Sequence, residues 1–152
     1  MFTYRFYVYK RISKHFYQCI DKKKKLFVSV KIINNTGLKP VQKQLLSNEI
    51  SLLRRIKCDI LPKLKKIYEE KNNLFLRFDS FFGEDLLKIY DSSLSEMAIS
   101  RYTFFILKGL RSLHSQGVFH GNINLENIII SPGSIRDDIF LINFKYLDEI
   151  SE

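Results

Sequence analysis

A cluster of polar side chains from His120 to Asn127 separates two short apolar segments near the C-terminal end of the sequence. Residues 118–119 precede the cluster, and the β-branched run of residues 128–130 follows it. Polar loops between short apolar strands are common places for catalytic or binding side chains. An imidazole can transfer protons, and an amide oxygen can bind a cation. The side-chain amide of Asn122, however, cannot accept a proton as a carboxylate base does. The cluster is therefore a candidate site whose main polar groups are one imidazole and several amides.

The composition is typical of one globular domain. The chain has 152 residues, of which 45% are hydrophobic, enough for one sizeable core. No apolar run is long enough to span a membrane, and residues 1–10 lack the apolar segment and cleavage site of a signal peptide. Cys19 and Cys58 lack CxxC spacing, so we interpret them as reduced thiols. These features predict an intracellular protein, cytoplasmic or nuclear, without a membrane span.

The net charge of +9 raises the question of an anionic partner such as nucleic acid or a membrane surface. The largest basic run, Lys22–Lys25, lies between two strand-like segments, where a solvated hairpin turn is the simpler interpretation. The other lysines and arginines are scattered along the sequence, and no aromatic–basic nucleic-acid motif is present. A solvated basic surface is therefore favoured, and a nucleic-acid-binding module is the least favoured hypothesis.

The elements that must position the polar cluster begin with a β-rich half. Alternating or β-branched apolar residues predict five strands, at residues 2–10, 15–20, 26–33, 64–68 and 74–78. Between the third and fourth strands, Pro40 opens a predicted helix that ends near Ile56. Its apolar residues recur at helical spacing, which indicates one buried face.

The second half of the sequence is predicted to be mainly helical. A short helix is expected at residues 86–90, and a long helix begins after Ser95, which is its predicted N-cap. Gly117 suits the C-terminal cap of that helix. Two short strands, at residues 127–131 and 139–144, then enclose a turn at residues 131–134.

Five motifs resemble, in order, those of the protein kinase family. They are Val28-Ser-Val-Lys31, Glu49 in the predicted helix, Asn73-Leu-Phe-Leu-Arg-Phe-Asp79, Leu113-His-Ser-Gln-Gly-Val-Phe-His120 followed by Asn122 and Asn127 in kinase-like spacing, and Leu141-Ile-Asn-Phe-Lys145. Each motif alone is weak, but five in the right order and on the right predicted elements are specific. The resemblance covers almost the whole chain.

The resemblance implies an α+β, protein-kinase-like fold over residues 1–152. Residues 1–78 would form an antiparallel five-stranded N-lobe with one helix, and residues 79–82 the hinge between lobes. Residues 83–152 would form a truncated, mainly helical C-lobe that ends just after the metal-motif position. The absent remainder of that lobe would leave an apolar face on the long helix, formed by Phe104, Phe105, Ile106 and Leu110. We expect a protein partner to cover this face, although a shrunken fold or a longer gene product would also explain it.

The same resemblance assigns roles to individual side chains. Lys31 corresponds to the lysine that holds the ATP phosphates, and Glu49 to its ion-pair partner. Residues 79–81, including Asp79 and Phe81, correspond to the adenine-facing hinge, and Asp85 to a position that can face the ribose. Asn127 and Asn143 are weak candidates for binding a metal ion, and Asn127 is more readily interpreted as bonding the loop backbone. Four further residues match a structural spine in the kinase interior: Leu53, Leu64, His120 and Phe144.

The departures from the kinase pattern fall in the phosphate-binding loop, the catalytic loop and the metal motif. The glycine positions of the phosphate-binding loop hold Tyr9, Arg11 and Lys14, whose side chains hinder close backbone approach to phosphate. Three positions of the catalytic and metal motifs hold amides in place of charged residues: Asn122 for the catalytic aspartate, Asn124 for the loop lysine and Asn143 for the metal-binding aspartate. In addition, Phe16 replaces a valine that packs on adenine and Lys145 replaces a glycine after the metal motif.

These departures predict a pseudokinase that acts as a regulatory or interaction module, with no catalytic residue. These departures do not favour a bound cofactor, and ATP with magnesium is the less favoured expectation. The alternative is a divergent or incomplete ATP-dependent Ser/Thr kinase, which the retained Lys31, Glu49 and Asn127 favour. In either case we favour a structural role for His120 over proton transfer.

Overall fold

The computed structural model describes residues 2–90, 94–131 and 138–144. Within them the strands are Phe6–Ser13 (β1), Phe16–Asp21 (β2), Leu26–Asn34 (β3), Leu64–Glu70 (β4), Asn73–Phe78 (β5), Glu84–Asp85 (β6), Ile128–Ser131 (β7) and Asp138–Leu141 (β8). The first five form one antiparallel sheet in the order β1-β2-β3-β5-β4, and the last three form a small antiparallel sheet in the order β6-β7-β8.

The α-helices of these described residues are Phe2–Arg5 (α1), Pro40–Arg55 (α2), Leu86–Tyr90 (α3) and Glu96–His114 (α4), and a 3₁₀ turn covers Leu125–Asn127. The five-stranded sheet with α2 and the helical second half confirm the predicted α+β, protein-kinase-like fold class. No helix among the described residues combines the length and the apolar composition that a bilayer span requires.

The hairpin of β2 and β3 explains the longest basic run. Its turn consists of Lys22–Lys25, all of which are exposed. Lys25 adopts a positive φ of 52°, and its N–H donates to the Asp21 carbonyl oxygen at 2.7 Å. The run is therefore a solvated hairpin turn, as the sequence predicts.

The N-terminal segment departs from the predicted strands. The prediction of a strand over residues 2–10 is wrong at its beginning, because Phe2–Arg5 is a helical turn. The Phe2 ring stacks on Phe75 with a centroid distance of 4.0 Å, and two N–H groups of the turn donate to the Glu70 carboxylate at 2.8 and 3.1 Å. Both partners are far along the chain, so local alternation of apolar residues does not reveal the turn.

Helix α2 begins at Pro40, in agreement with the sequence. The Lys39 N–H donates to the Gln42 side-chain oxygen at 2.8 Å, which satisfies a donor at the helix start. The buried residues of the helix are Leu46, Glu49 and Leu53. One carboxylate is thus buried between two leucines on the face that packs into the core.

Helix α4 also begins where the sequence predicts. The Ala98 N–H donates to Ser95 Oγ at 3.2 Å, which confirms Ser95 as the N-cap. Gly117 has a φ of 70° shortly after the helix ends, a conformation that glycine adopts at little cost. The predicted turn at residues 131–134, except for Ser131, and the Lys145 position lie outside the described residues.

Residues 56–63, which we call the anchor loop, connect α2 to β4 and attach to α4. The Cys58 thiol donates to the Gly109 carbonyl oxygen at 3.6 Å. The Ile60 side chain fills the space that a Cβ atom on Gly109 would need. The Leu141 N–H donates to the Ile60 carbonyl oxygen at 2.7 Å. The loop therefore joins the five-stranded sheet to the helical half through contacts that leave no void beside Gly109.

An acid-sensitive ion pair stabilises the first hairpin. The Asp21 side chain is fully buried, and Arg5 Nη2 donates to its Oδ2 at 2.6 Å. The hydrogen bonds from Arg5, together with N–H donors of Lys23 and Lys24, lower the pKa of Asp21 from 3.8 to about 2. A carboxyl whose pKa is lowered on folding contributes stability above its unfolded pKa, and this stability is lost as the pH falls through the folded pKa.

We therefore expect the free energy of unfolding to fall between about pH 4 and pH 2 by a contribution that Asp21→Asn removes. Urea unfolding of both proteins at a series of acidic pH values measures this contribution. Equal pH slopes for the two proteins in that window would contradict the assignment.

Candidate functional site

The amides predicted as metal candidates bond to Lys31 and to each other. Lys31 Nζ donates to Asn143 Oδ1 at 2.8 Å, and Asn143 Nδ2 donates to Asn127 Oδ1 at 2.9 Å. Each of these three residues is at least 96% buried, where hydrogen bonds are strong because the local dielectric constant is low. Lys31 lies on β3 and Asn143 follows β8, so the chain of bonds connects the two sheets.

The two remaining amides of the loop complete what we call the amide network: Asn122, Asn124, Asn127 and Asn143. Asn127 Nδ2 donates to the Asn122 carbonyl oxygen at 3.0 Å, and Asn122 Nδ2 donates to the Asn143 carbonyl oxygen at 3.2 Å. The Asn124 side-chain oxygen accepts the Asn127 N–H at 3.0 Å and caps the 3₁₀ turn. Asn122, which is only partly buried, thus takes part in the network through both its side chain and its backbone carbonyl.

The backbone at Asn143 suits its residue type. Its φ is 59°, in the left-handed region that asparagine tolerates better than most other residues with a side chain. This conformation turns the chain directly after β8 and directs the side-chain amide between Lys31 and Asn127.

These residues do not fit a magnesium ion. The Oδ1 atoms of Asn127 and Asn143 already accept N–H donors, and neither side chain carries the negative charge that a hard cation prefers. Lys31 places a positive charge 2.8 Å from one of these oxygens. Among residues 2–90, 94–131 and 138–144, no group of three or more His, Cys, Asp or Glu side chains could hold a metal ion.

The predicted hinge forms hydrogen bonds with β3. Ser29 Oγ donates to the Phe81 carbonyl oxygen and accepts the Phe81 N–H, both at 3.1 Å. Ser29 is fully buried. The backbone N–H and C=O groups of Phe81 therefore both have a hydrogen-bond partner within the chain.

Aromatic rings fill the space between the hinge and the amide network. The Phe16 ring lies 5.5 Å from that of Phe78 and 5.7 Å from that of Phe81, measured between centroids. The Phe81 ring also contacts Phe140 at 5.1 Å. Phe16, Phe78 and Phe81 are all at most 3% exposed, so the rings form a continuous part of the core.

The cavity beside Lys31 is consequently small. It has a volume of about 20 Å³ and is lined in part by Phe16, Lys31 and Asn143. A cavity of this size holds about one water molecule. A wider cleft of about 560 Å³ lies in front of the hinge, but neither Lys31 nor the amide network lines it. No space for a purine ring remains next to Lys31 in this arrangement.

The acidic residues of the predicted nucleotide site have different locations. The Asp79 carboxylate is about half exposed and pairs with Lys65 at 2.9 Å. Asp85 is buried, and its carboxylate accepts both the side-chain and backbone N–H groups of Lys88 at 2.6 and 3.0 Å. Glu49 is buried and lines a different cavity, next to His120 and Phe144, rather than the one beside Lys31. Asp79 and Asp85 are thus engaged in ion pairs that do not face a common ligand space.

The predicted spine residues lie in the core. The His120 ring packs on the Phe144 ring with a centroid distance of 4.6 Å. Burial lowers the pKa of His120 to about 4, so the imidazole is neutral at pH 7. Leu53 and Phe144 line the same small cavity, and Leu64 is partly buried against the same core. A structural role for the four residues remains a prediction that these contacts support.

Sequence reasoning did not identify Ser29 as a site residue. A signal was present, because side chains of a strand alternate between its two faces. Ser29 lies two residues before Lys31 and therefore on the same face of β3. No sequence pattern indicates that the Phe81 ring points inward, since residues 79–83 form neither a helix nor a strand.

A search of protein-family models matches residues 13–145 to the protein kinase domain. Among curated proteins, the chain is similar to cyclin-dependent kinase-like 2 of Rattus norvegicus, with 25% identity over 120 residues, 78% of this chain and 24% of the relative. It is also similar to the serine/threonine-protein kinase ULK1 of Homo sapiens, with 32% identity over 137 residues, 83% of this chain and 13% of the relative.

A third relative is described as a probable inactive serine/threonine-protein kinase of Dictyostelium discoideum, and it is 26% identical over 106 residues, 68% of this chain and 9% of that protein. The chain thus spans about a quarter or less of the length of these relatives. The family match covers most of the chain and agrees with the order of strands and helices in the fold. The chain therefore belongs to the protein kinase family.

Proposed function

We propose that the protein is a catalytically inactive kinase-like module that acts in regulation or interaction. The observation that carries this proposal is the amide network, in which Asn143 bonds to Lys31 and to Asn127 where an active kinase would hold a metal ion. Asn122 contributes its amide to the same network and has no carboxylate with which to accept a proton. The side chains at these positions thus form hydrogen bonds with one another.

The size of the expected catalytic loss supports an inactive protein. Loss of a general base costs on the order of 10²–10⁴ in rate, and loss of one preorganised electrostatic group costs on the order of 10²–10³. The two losses are not strictly multiplicative, because parts of one site act as a unit. Even one of them leaves little of the roughly 1–100 turnovers per second typical of kinases.

The alternative is a divergent ATP-dependent Ser/Thr kinase that binds ATP. It is favoured by the burial of Lys31 and Glu49, which keep the residue types of a phosphate-binding pair. The filled space next to Lys31 counts against it, since the phenylalanine rings would have to move before adenine could enter.

A nucleotide titration separates the two functions. We expect millimolar ATP with Mg²⁺ or Mn²⁺ to leave the midpoint of thermal unfolding unchanged, whereas a ligand present at 100 times its Kd would stabilise the fold by about 2.7 kcal/mol. Phosphotransfer to generic protein substrates is expected to be absent. Nucleotide-dependent stabilisation, together with phosphotransfer that Lys31→Ala abolishes, would establish the alternative.

The interaction role also involves the outer face of α4. Phe104 is 61% exposed and Leu107 is 60% exposed, while Phe105, Ile106 and Leu110 are partly buried against the core. Phe104 is thus the strongly exposed member of the apolar face predicted from the sequence. A protein partner that covers Phe104 and Leu107 is part of this proposal, and the two buried free cysteines support an intracellular location.

A further inference from the structure

Four cations from residues 54–65 line one cleft. Arg54 lies at the end of α2, Lys57 and Lys63 lie in the anchor loop, and Lys65 lies at the beginning of β4. The cleft has a volume of about 540 Å³, within the range of ligand-binding clefts. All four side chains are exposed. We call this feature the basic cleft.

The positive charge of the basic cleft is only partly balanced. Asp59 is the one carboxylate among its lining residues, and Lys65 pairs with Asp79 outside the cleft lining at 2.9 Å. In the part of the chain that the structure describes, Arg54, Lys57 and Lys63 have no ion-pair partner within 4.0 Å. An anionic ligand would therefore meet three cations that are not already engaged.

The basic cleft also has apolar lining residues, which we call its floor. They are Leu53, Ile56, Leu61, Pro62 and Leu64, of which Leu53 and Pro62 are buried. Leu61 is only 3% exposed and belongs to the main core, whereas Ile56 and Leu64 are partly buried and accessible from the cleft. A ligand that complements both features carries negative charges on its edges and apolar side chains toward the floor.

The cleft is held in shape before any ligand binds. Its central residues belong to the anchor loop, whose Lys57 N–H donates to Gln116 Oε1 at 3.3 Å. Gln116 Nε2 donates back to the Lys57 carbonyl oxygen at 2.9 Å. Together with the contacts of Cys58 and Ile60 to Gly109, these bonds attach the loop to α4 and the helix end. A rigid cleft loses less conformational entropy on binding than a flexible loop would.

We infer that the basic cleft binds an acidic, leucine-containing polypeptide segment of a partner protein. This inference rests on the proposed interaction role and specifies the chemistry of its partner. Nucleic acid is the less suitable occupant, because single strands bind proteins through stacking on aromatic side chains. Among the residues that the structure describes, none of those lining the cleft is aromatic. A duplex would contact phosphates but would not use the apolar floor.

The test uses a short fluorescent peptide in which glutamates alternate with leucines and which contains no hydroxyl-bearing residue. Binding to the whole chain is measured by fluorescence anisotropy. Simultaneous neutralisation of the four cleft cations, Arg54→Gln, Lys57→Gln, Lys63→Gln and Lys65→Gln, is expected to weaken binding on the order of tenfold or more, because exposed ion pairs each contribute a small energy. A peptide with serine in place of leucine should bind more weakly.

The matched control neutralises Lys22, Lys23, Lys24 and Lys25 in the exposed hairpin turn. It removes the same number of charges from the same protein and is expected to retain most of the affinity. Equal losses in both variants, or no saturable binding below roughly 1 mM, would overturn the inference. Tighter binding of a DNA or RNA oligonucleotide that depends on the same four cations would also overturn it.

The outcomes of this test are separate from those of the nucleotide titration. The peptide cannot accept a phosphoryl group, so its binding does not depend on whether the protein transfers phosphate. If the peptide binds and the protein also shows phosphotransfer that Lys31→Ala abolishes, only the inactive role fails. If ATP has no effect and the peptide does not bind, only the inference about the cleft fails.

Discussion

Replacement of Asn143 with alanine is expected to lower the free energy of unfolding by about 3.5–6 kcal/mol. The buried Lys31 ammonium loses an acceptor, and a hydrogen bond to a charged group contributes about 1.5–3 kcal/mol. Asn127 Oδ1 loses its donor, which adds about 1 kcal/mol. Alanine at a φ of 59° adds a backbone cost of about 1–2 kcal/mol. Urea unfolding measures the change.

Two variants identify the sources of that loss. Asn143→Gly removes the same amide but accepts the positive φ, so it should be about 1 kcal/mol more stable than Asn143→Ala. Lys10→Ala removes an exposed ion pair to Glu84 at 3.3 Å and should change stability by less than about 1 kcal/mol. A loss below about 1 kcal/mol for Asn143→Ala would show that the amide network does not stabilise the fold.

Replacement of Phe81 with alanine is expected to destabilise the protein by about 3–5 kcal/mol, the usual cost of truncating a buried phenylalanine. The ring is 3% exposed and contacts Phe16 and Phe140, so its removal leaves an apolar cavity. Apolar cavities of this kind stay dry and bind small aromatic molecules. Benzene should therefore raise the midpoint of thermal unfolding of the variant and leave that of the unmodified protein unchanged.

The neighbouring Phe82 provides the matched control. It is 46% exposed and contacts Phe27 on the surface, so Phe82→Ala should cost about 1 kcal/mol or less and create no benzene site. Two results would contradict the assignment of the Phe81 ring as the group that fills the space next to the hinge. In the first, benzene stabilises neither Phe81→Ala nor Phe82→Ala, and in the second, it stabilises the unmodified protein as much as Phe81→Ala.

The elements of the fold were largely predictable because their signals are local. Pro40 at the start of α2, Ser95 before α4 and the basic turn between β2 and β3 each express a preference of neighbouring residues. One exception is Phe2–Arg5, where a stack on Phe75 overrides an alternating pattern. Contacts between distant residues decided the conformation of that segment.

The residues of the candidate site remain a prediction from the sequence, and their contacts could not be predicted from it. Asn122, Asn127 and Asn143 follow from the order of motifs, but their bonds to one another require a fold that brings Asn143 next to β3. Lys31 and Asn143 are 112 residues apart in sequence. Likewise, the Ser29 hydroxyl meets the Phe81 backbone across 52 residues. Sequence spacing alone contains no information on such distances.

The sequence by itself determined the protein kinase family, the α+β fold class and the presence of amides at Asn122 and Asn143. The tertiary structure alone decided that these amides bond together, that phenylalanine rings fill the space beside Lys31, and that four separate cations share one cleft. The physical reason is that residue type and periodicity express local preferences, whereas hydrogen-bond partners, cavities and electrostatic surfaces depend on which distant segments pack together.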